Sequence, residues 1–84
     1  MNQYQLQVTA LFRPEVLERV LRLTRHRGFR VAQMDMNTQD SELVINMTVV
    51  SERAIILLSR QLEKLLDVTL VEIQESVLAL KKIA

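Results

Sequence analysis

Polar and apolar positions alternate from the start of the chain. Over residues 3–12, QYQLQVTALF, the side chains of Tyr4, Leu6, Val8, Ala10 and Phe12 fall on one face and those of Gln5, Gln7 and Thr9 on the other. A period of two is that of a strand with one buried face. Pro14 ends the alternation and suits the first position of a helix, where its missing N–H would lack an intrahelical partner anyway. Over 14–27, Val16, Leu17, Val20, Leu21 and Leu23 cover one side, with Glu18, Arg19, Arg22, Arg25 and His26 opposite, which predicts an amphipathic helix. Glu15 and Glu18 stand in its first turns and Arg25, His26 and Arg27 in its last, as the helix dipole favours. Gly28, the only glycine of the chain, is expected as the structural cap, because a left-handed conformation suits a residue with no Cβ.

Residues 29–37 and 42–50 predict a hairpin. In its first strand Ala32, Met34 and Met36 alternate with Val31, Gln33 and Asp35; in its second Leu43, Ile45, Met47 and Val49 alternate with Val44, Asn46, Thr48 and Val50. The connection NTQDSE is polar but lacks the Asn-Gly pair of a tight turn. Ser51 reads as the N-cap of a second helix over 52–66, with a core stripe of Ile55, Leu58, Leu62, Leu65 and Leu66. Ile56 and Leu57 fall off that stripe, beside Arg60, Glu63 and Lys64. Residues 67–75 predict a last strand. One domain over 1–76 followed by a C-terminal tail, 77–84, is the expected organisation.

The order β-α-β-β-α-β with short connections predicts an α+β, ferredoxin-like βαββαβ fold: a four-stranded antiparallel sheet with two helices on one face. Strict alternation leaves Val44 and Val50, and Val68 and Leu70, on the face opposite their apolar neighbours. An apolar sheet face or edge covered by another chain is therefore expected.

Composition narrows the picture. The 84 residues are 49% apolar and 25% charged, which is globular, and the length suits one domain. With no cysteine, disulfides, thiolate metal sites and a cysteine nucleophile are excluded. The longest apolar run, Ala54 to Leu58, is far short of a membrane span. The N-terminus MNQYQLQV has neither the basic start nor the apolar stretch of a signal peptide, so a cytoplasmic protein with no membrane association is expected. The net charge of +1 hides a segregation: six arginines against two acids lie between Arg13 and Arg30, whereas acids dominate from Val31 onward.

Catalytic chemistry is scarcely represented. His26 is the only histidine, the carboxylates are scattered, and Ser41, Ser51, Ser59 and Ser76 have no general base at readable spacing. One glycine cannot build a phosphate loop. The strand LVINMTVV lacks the aromatics on which RNA-recognition sheets stack bases, and the near-neutral charge argues against a nucleic-acid partner. No catalytic or metal-binding residue is assigned.

The segments FRPEVLERVLRLTRHRGFRV and RQLEKLLDVTLVEI, separated by the hairpin, resemble the small regulatory subunits of acetolactate synthase (acetohydroxyacid synthase), and the shortness of the chain resembles the one-domain, isozyme II type. The resemblance spans about residues 4–75. It implies an ACT domain and a large catalytic partner subunit, which would hold thiamine diphosphate, magnesium and FAD; none of these is expected in this chain. It also implies a non-catalytic, activating role in branched-chain amino-acid biosynthesis. The resemblance implies that valine-sensing members carry Asn-x-x-Gly in the loop after the first strand, and tend to carry Asn after the Gly-aromatic pair, where it faces the partner domain's ligand. Phe12, Glu15 and Arg30 stand at those positions here, so weak or absent valine binding is expected. A free-standing amino-acid sensor is the alternative, and it would need the missing Gly and Asn. A homodimer joined through the second strand is expected, because ACT domains commonly join edge to edge and free strand edges invite pairing. Arg19, Arg22 and Arg25, or else Ile56 and Leu57, are the candidate contacts with the large subunit.

Overall fold

The computed structural model describes residues 2–74; residues 75–84, which include the expected tail, lie outside the described part. The elements are β1 (Asn2–Leu11), α1 (Val16–His26), β2 (Arg30–Gln39), β3 (Glu42–Ser51), α2 (Ile55–Glu63) and β4 (Val68–Gln74). The strands form one antiparallel sheet in the order β2-β3-β1-β4, which leaves β2 and β4 at its edges. Both helices cover the same face, the expected ferredoxin-like arrangement. The core is the alternation seen in the sequence: Leu6, Val8 and Ala10 of β1 lie against Leu43, Ile45, Met47 and Val49 of β3, roofed by Val16, Val20, Leu58 and Leu62.

Local chemistry sets the element ends. The Val16 N–H donates to the Arg13 carbonyl at 3.2 Å, so residues 13–16 form a β-turn that precedes α1. Pro14 therefore takes the second turn position, which its fixed φ favours, rather than the first helical one. Helix α1 ends in a Schellman motif. The Gly28 N–H donates to the Arg25 carbonyl (3.0 Å) and the Phe29 N–H to that of Thr24 (3.1 Å), with Gly28 at φ +87° as expected of the cap. Thr24, absent from the predicted stripe, is fully buried because its hydroxyl donates to the Val20 carbonyl at 2.7 Å.

Several expectations are corrected. The hairpin strands run on to Gln39 and Glu42, leaving a two-residue turn, Asp40-Ser41, in which Asp40 takes φ +56°. Ser51 does not cap α2. It ends β3, where its hydroxyl donates to the Gly28 carbonyl (2.8 Å) and accepts the Arg53 N–H (3.0 Å). Helix α2 is shorter than 52–66, and Leu66 leaves the core stripe for the turn that follows it, 70% exposed.

Two register shifts remove part of the expected apolar surface from the uncovered face. One falls between Val31 and Gln33, so that Ala32 is the extra residue and Val31, Met34 and Met36 all pair with core-facing residues of β3. The other falls where Thr9 and Ala10 pair with Leu70 and Val68, which returns Val68 to the side of Val71 and Ile73. The open face is consequently polar over most of its area. Gln74, Gln5, Thr48 and Gln33 form one row across all four strands, and Glu72, Gln7, Asn46 and Asp35 the next. Within the second row Gln7 Nε2 donates to Asn46 Oδ1 (3.0 Å) and Asn46 Nδ2 to Asp35 Oδ1 (3.2 Å). Val50 is buried, whereas half-buried Val44 and half-exposed Leu70 stay on the open face, in one row with Thr9 and Asn37.

Candidate functional site

The loop from β1 to α1 is held from two sides. The Leu11 N–H donates to the Asp67 carbonyl (2.8 Å) and the Phe12 N–H to the Ser41 carbonyl (2.9 Å), which ties the loop to the turns at both of its flanks. Arg13 Nε lies 3.8 Å from Asp67 Oδ1, an ion pair whose arginine is well exposed. With its backbone thus fixed, Phe12 projects outward, 60% exposed. Glu15 sits at the N-cap position of α1 in a turn conformation, and its carbonyl accepts the Arg19 N–H at 3.1 Å. Its side chain makes no capping bond, so an exposed carboxylate occupies the end of the helix that otherwise attracts anions.

Arg30 opens β2, after the far end of α1. Eleven helical residues separate the two ends, about 16 Å at the helical rise, so one copy of the chain does not bring Arg30 to Phe12 and Glu15. It brings Arg30 to Arg25 instead. These two line a cavity of about 280 Å³ with Leu21 and Val31, beside the free edge of β2. That pairing has no sequence signal, since the Schellman motif and the strand start turn the chain through a corner between them.

Arg19, Arg22 and Arg25 are all exposed along the outer side of α1, three residues apart, and none has an ion-pair partner among the described residues. Ile56 and Leu57 are 43% and 51% exposed, off the core side of α2 as their spacing predicts. Gly28 lies beneath Arg53, whose Nε would stand 2.9 Å from a Cβ built on the glycine. With the Ser51 hydroxyl bound to the Gly28 carbonyl, this joins the α1–β2 corner to the β3–α2 corner. Sequence reasoning missed this link because its two ends are 23 residues apart. A second cavity, of about 100 Å³, lies among Gln5, Gln33, Asp35, Asn46 and Thr48 on the open face. The alternate glutamines of β1 were its only signal.

No group of three or more His, Asp or Glu side chains converges as a metal site among the described residues. No described helix is long and apolar enough to cross a membrane. Among the described residues, what the surfaces offer is recognition: an exposed cationic helix side, exposed aliphatic side chains on α2, and two sheet edges, β2 and β4, with no further strand beside them.

The fold, with its capped α1, two helices on one face and polar rows on the other, defines a ferredoxin-like α+β module, and the chain is an ACT domain: the pattern of that family matches residues 12–71. Within that class it belongs to the family of the acetolactate synthase isozyme 2 small subunit. It is 50% identical over 78 residues to the protein of that name from Escherichia coli K12, covering 90% of both chains, and equally so to that of Shigella flexneri. Among solved structures, the ACT domain of a GTP pyrophosphokinase from Chlorobium tepidum superposes with a TM-score of 0.76 at 12% identity, over 87% of this chain and 97% of that one. The acetolactate synthase small subunit of Thermotoga maritima superposes with a TM-score of 0.75 at 18% identity, over 87% of this chain and 47% of that one. These structural likenesses establish the fold alone.

Proposed function

We propose that this chain is the non-catalytic regulatory small subunit of an acetolactate synthase, acting in branched-chain amino-acid biosynthesis. The observation that carries the reading is 50% identity over 90% of both chains to the Escherichia coli isozyme 2 small subunit. Its partner is a large catalytic subunit in the cytoplasm, which holds thiamine diphosphate, magnesium and FAD. The small chain acts by conformation: it raises turnover by binding the active state of the large subunit more tightly than the inactive one. A tenfold activation needs a difference of about 1.4 kcal/mol in binding.

Valine does not regulate this chain. The Glu15 carboxylate stands at the anion-receiving end of α1, Phe12 adds bulk to the loop, and Arg30 replaces a neutral amide donor and acceptor with a cation. The chain pairs with a second copy along the free edge of β2, where the partly exposed Met34 and Met36 provide adaptable packing. Arg19, Arg22 and Arg25 on one side, and Ile56 and Leu57 on the other, are the surfaces available to the large subunit.

The test is co-expression with the thiamine-diphosphate-dependent large chain from the same genome. Co-elution of the two chains, with turnover several-fold above that of the large chain alone, is the expected result. Separate elution with unchanged turnover would refute the reading.

A further inference from the structure

Five of the seven large apolar side chains that stand exposed among the described residues, Ile56, Leu57, Leu66, Leu70 and Ile73, belong to α2, the turn after it and β4. Among the described residues, the two edges of the sheet therefore differ. Strand β2 is mostly polar, with Met36 its only member of that set, whereas β4 is aliphatic with Glu72 its only charge.

The orientation of α2 follows from one bond. Gln61 Oε1 accepts from Arg27 Nη2, so that flank of α2 faces α1. Ile56 is five residues earlier, about 140° around the helix, and falls on the opposite flank, toward the outer edge of β4. Ile73 reaches the same edge from the helix side of β4 and Leu70 from the open side, where it pairs with Thr9. Leu66 stands just before the strand. Apolar surface of a few hundred Å² thus wraps a free strand edge from both sides, in the size range of functional patches.

We infer that this β4 edge, with Ile56, Leu66, Leu70 and Ile73 around it, is the surface that docks on the large catalytic subunit and receives an aliphatic segment of it. The inference rests on the partnership proposed above and selects the α2 side over the arginines of α1. The area decides the occupant. A stable complex buries about 800 Å² on each partner, more than this patch could supply to a second copy of the chain. It has the size of the dry centre of a broader contact with a larger protein, whose rim would meet Arg60, Glu63 and Lys64. Among the described residues β4 pairs only with β1, so the backbone groups on its outer side can add directional hydrogen bonds to an incoming strand. A dimer joined through β2 leaves both β4 edges free at its two ends.

The experiment compares the full chain with its Leu66→Glu/Leu70→Glu variant in three measurements: affinity for the large subunit, self-association by sedimentation, and thermal midpoint. The expected result is an affinity for the large subunit at least tenfold weaker, with self-association and midpoint unchanged. Unchanged affinity overturns the inference. Loss of self-association assigns the edge to a second copy, and a lowered midpoint assigns it to packing within this chain; either result also overturns it. A wild-type chain that fails to bind the large subunit removes the partnership itself, whereas a wild-type chain that binds while the variant binds equally well removes only this surface.

Discussion

Replacing Gly28 by alanine isolates the element that joins the two halves of the domain. Gly28 takes φ +87°, and its N–H and the following one close the Schellman bonds to Arg25 and Thr24. A Cβ in the left-handed region meets its neighbouring carbonyl oxygen, which costs roughly 1–2 kcal/mol. It would also stand 2.9 Å from Arg53 Nε and 3.2 Å from Arg53 Cδ, but these atoms end a flexible side chain that can swing aside. The backbone term should therefore dominate, and Gly28→Ala should destabilise the domain by about 1–2 kcal/mol, a drop in Tm of roughly 5–15 °C for a domain this small. Urea unfolding of Gly28→Ala, Gly28→Asn, Arg53→Ala and the Gly28→Ala/Arg53→Ala double variant separates the contributions. Asparagine tolerates the left-handed region, so Gly28→Asn should cost clearly less than alanine despite its larger side chain. If the asparagine variant is the less stable of the two, or if Arg53→Ala restores most of the loss, the obstacle is steric and the conformational account is wrong.

Ser51→Ala should cost about 0.5–1.5 kcal/mol, read from the shift of the denaturation midpoint, because it removes two part-buried hydrogen bonds, to the Gly28 carbonyl and from the Arg53 N–H, that join the two corners. Thr24→Val should fall within about 1 kcal/mol of wild type in the same assay, since the lost hydroxyl only back-bonds to the Val20 carbonyl of its own helix and the volume is kept. Reversing charge at Arg22 and Arg25 should slow association with the large subunit at low salt, with little change in dissociation rate, because exposed charges steer encounters more than they hold complexes; surface plasmon resonance at two ionic strengths checks this. Valine should give no binding heat at micromolar concentrations in titration calorimetry, and Glu15→Gly with Arg30→Asn should move the chain toward binding.

The element order, the fold and the position of the α1 cap were legible in the sequence because each rests on local physics. The alternation over residues 4–10 and 42–50 survives in β1 and β3, the two central strands, since their inward side chains meet both helices and only one register buries them; Phe12, expected on the same face, lies past the end of β1 and is exposed. Gly28 was readable because a single residue with positive φ at a helix end has few alternatives. The off-core positions of Ile56 and Leu57 followed from helical spacing alone. The edge strands were misread because a bulge is decided by the neighbouring strand: the extra residues Ala32 and Thr69 change which side Val31 and Val68 face, and nothing in the local alternation marks them. Ser51 met every local requirement of an N-cap, yet its hydroxyl bonds to a carbonyl 23 residues away that only the folded sheet brings near. Tertiary structure also set Arg30 beside Arg25, away from Phe12 and Glu15 of the same copy, and gathered Ile56, Leu66, Leu70 and Ile73 around β4. Local periodicity determines which side chains share a face of one element, but which faces and edges stay free depends on how the elements pack together.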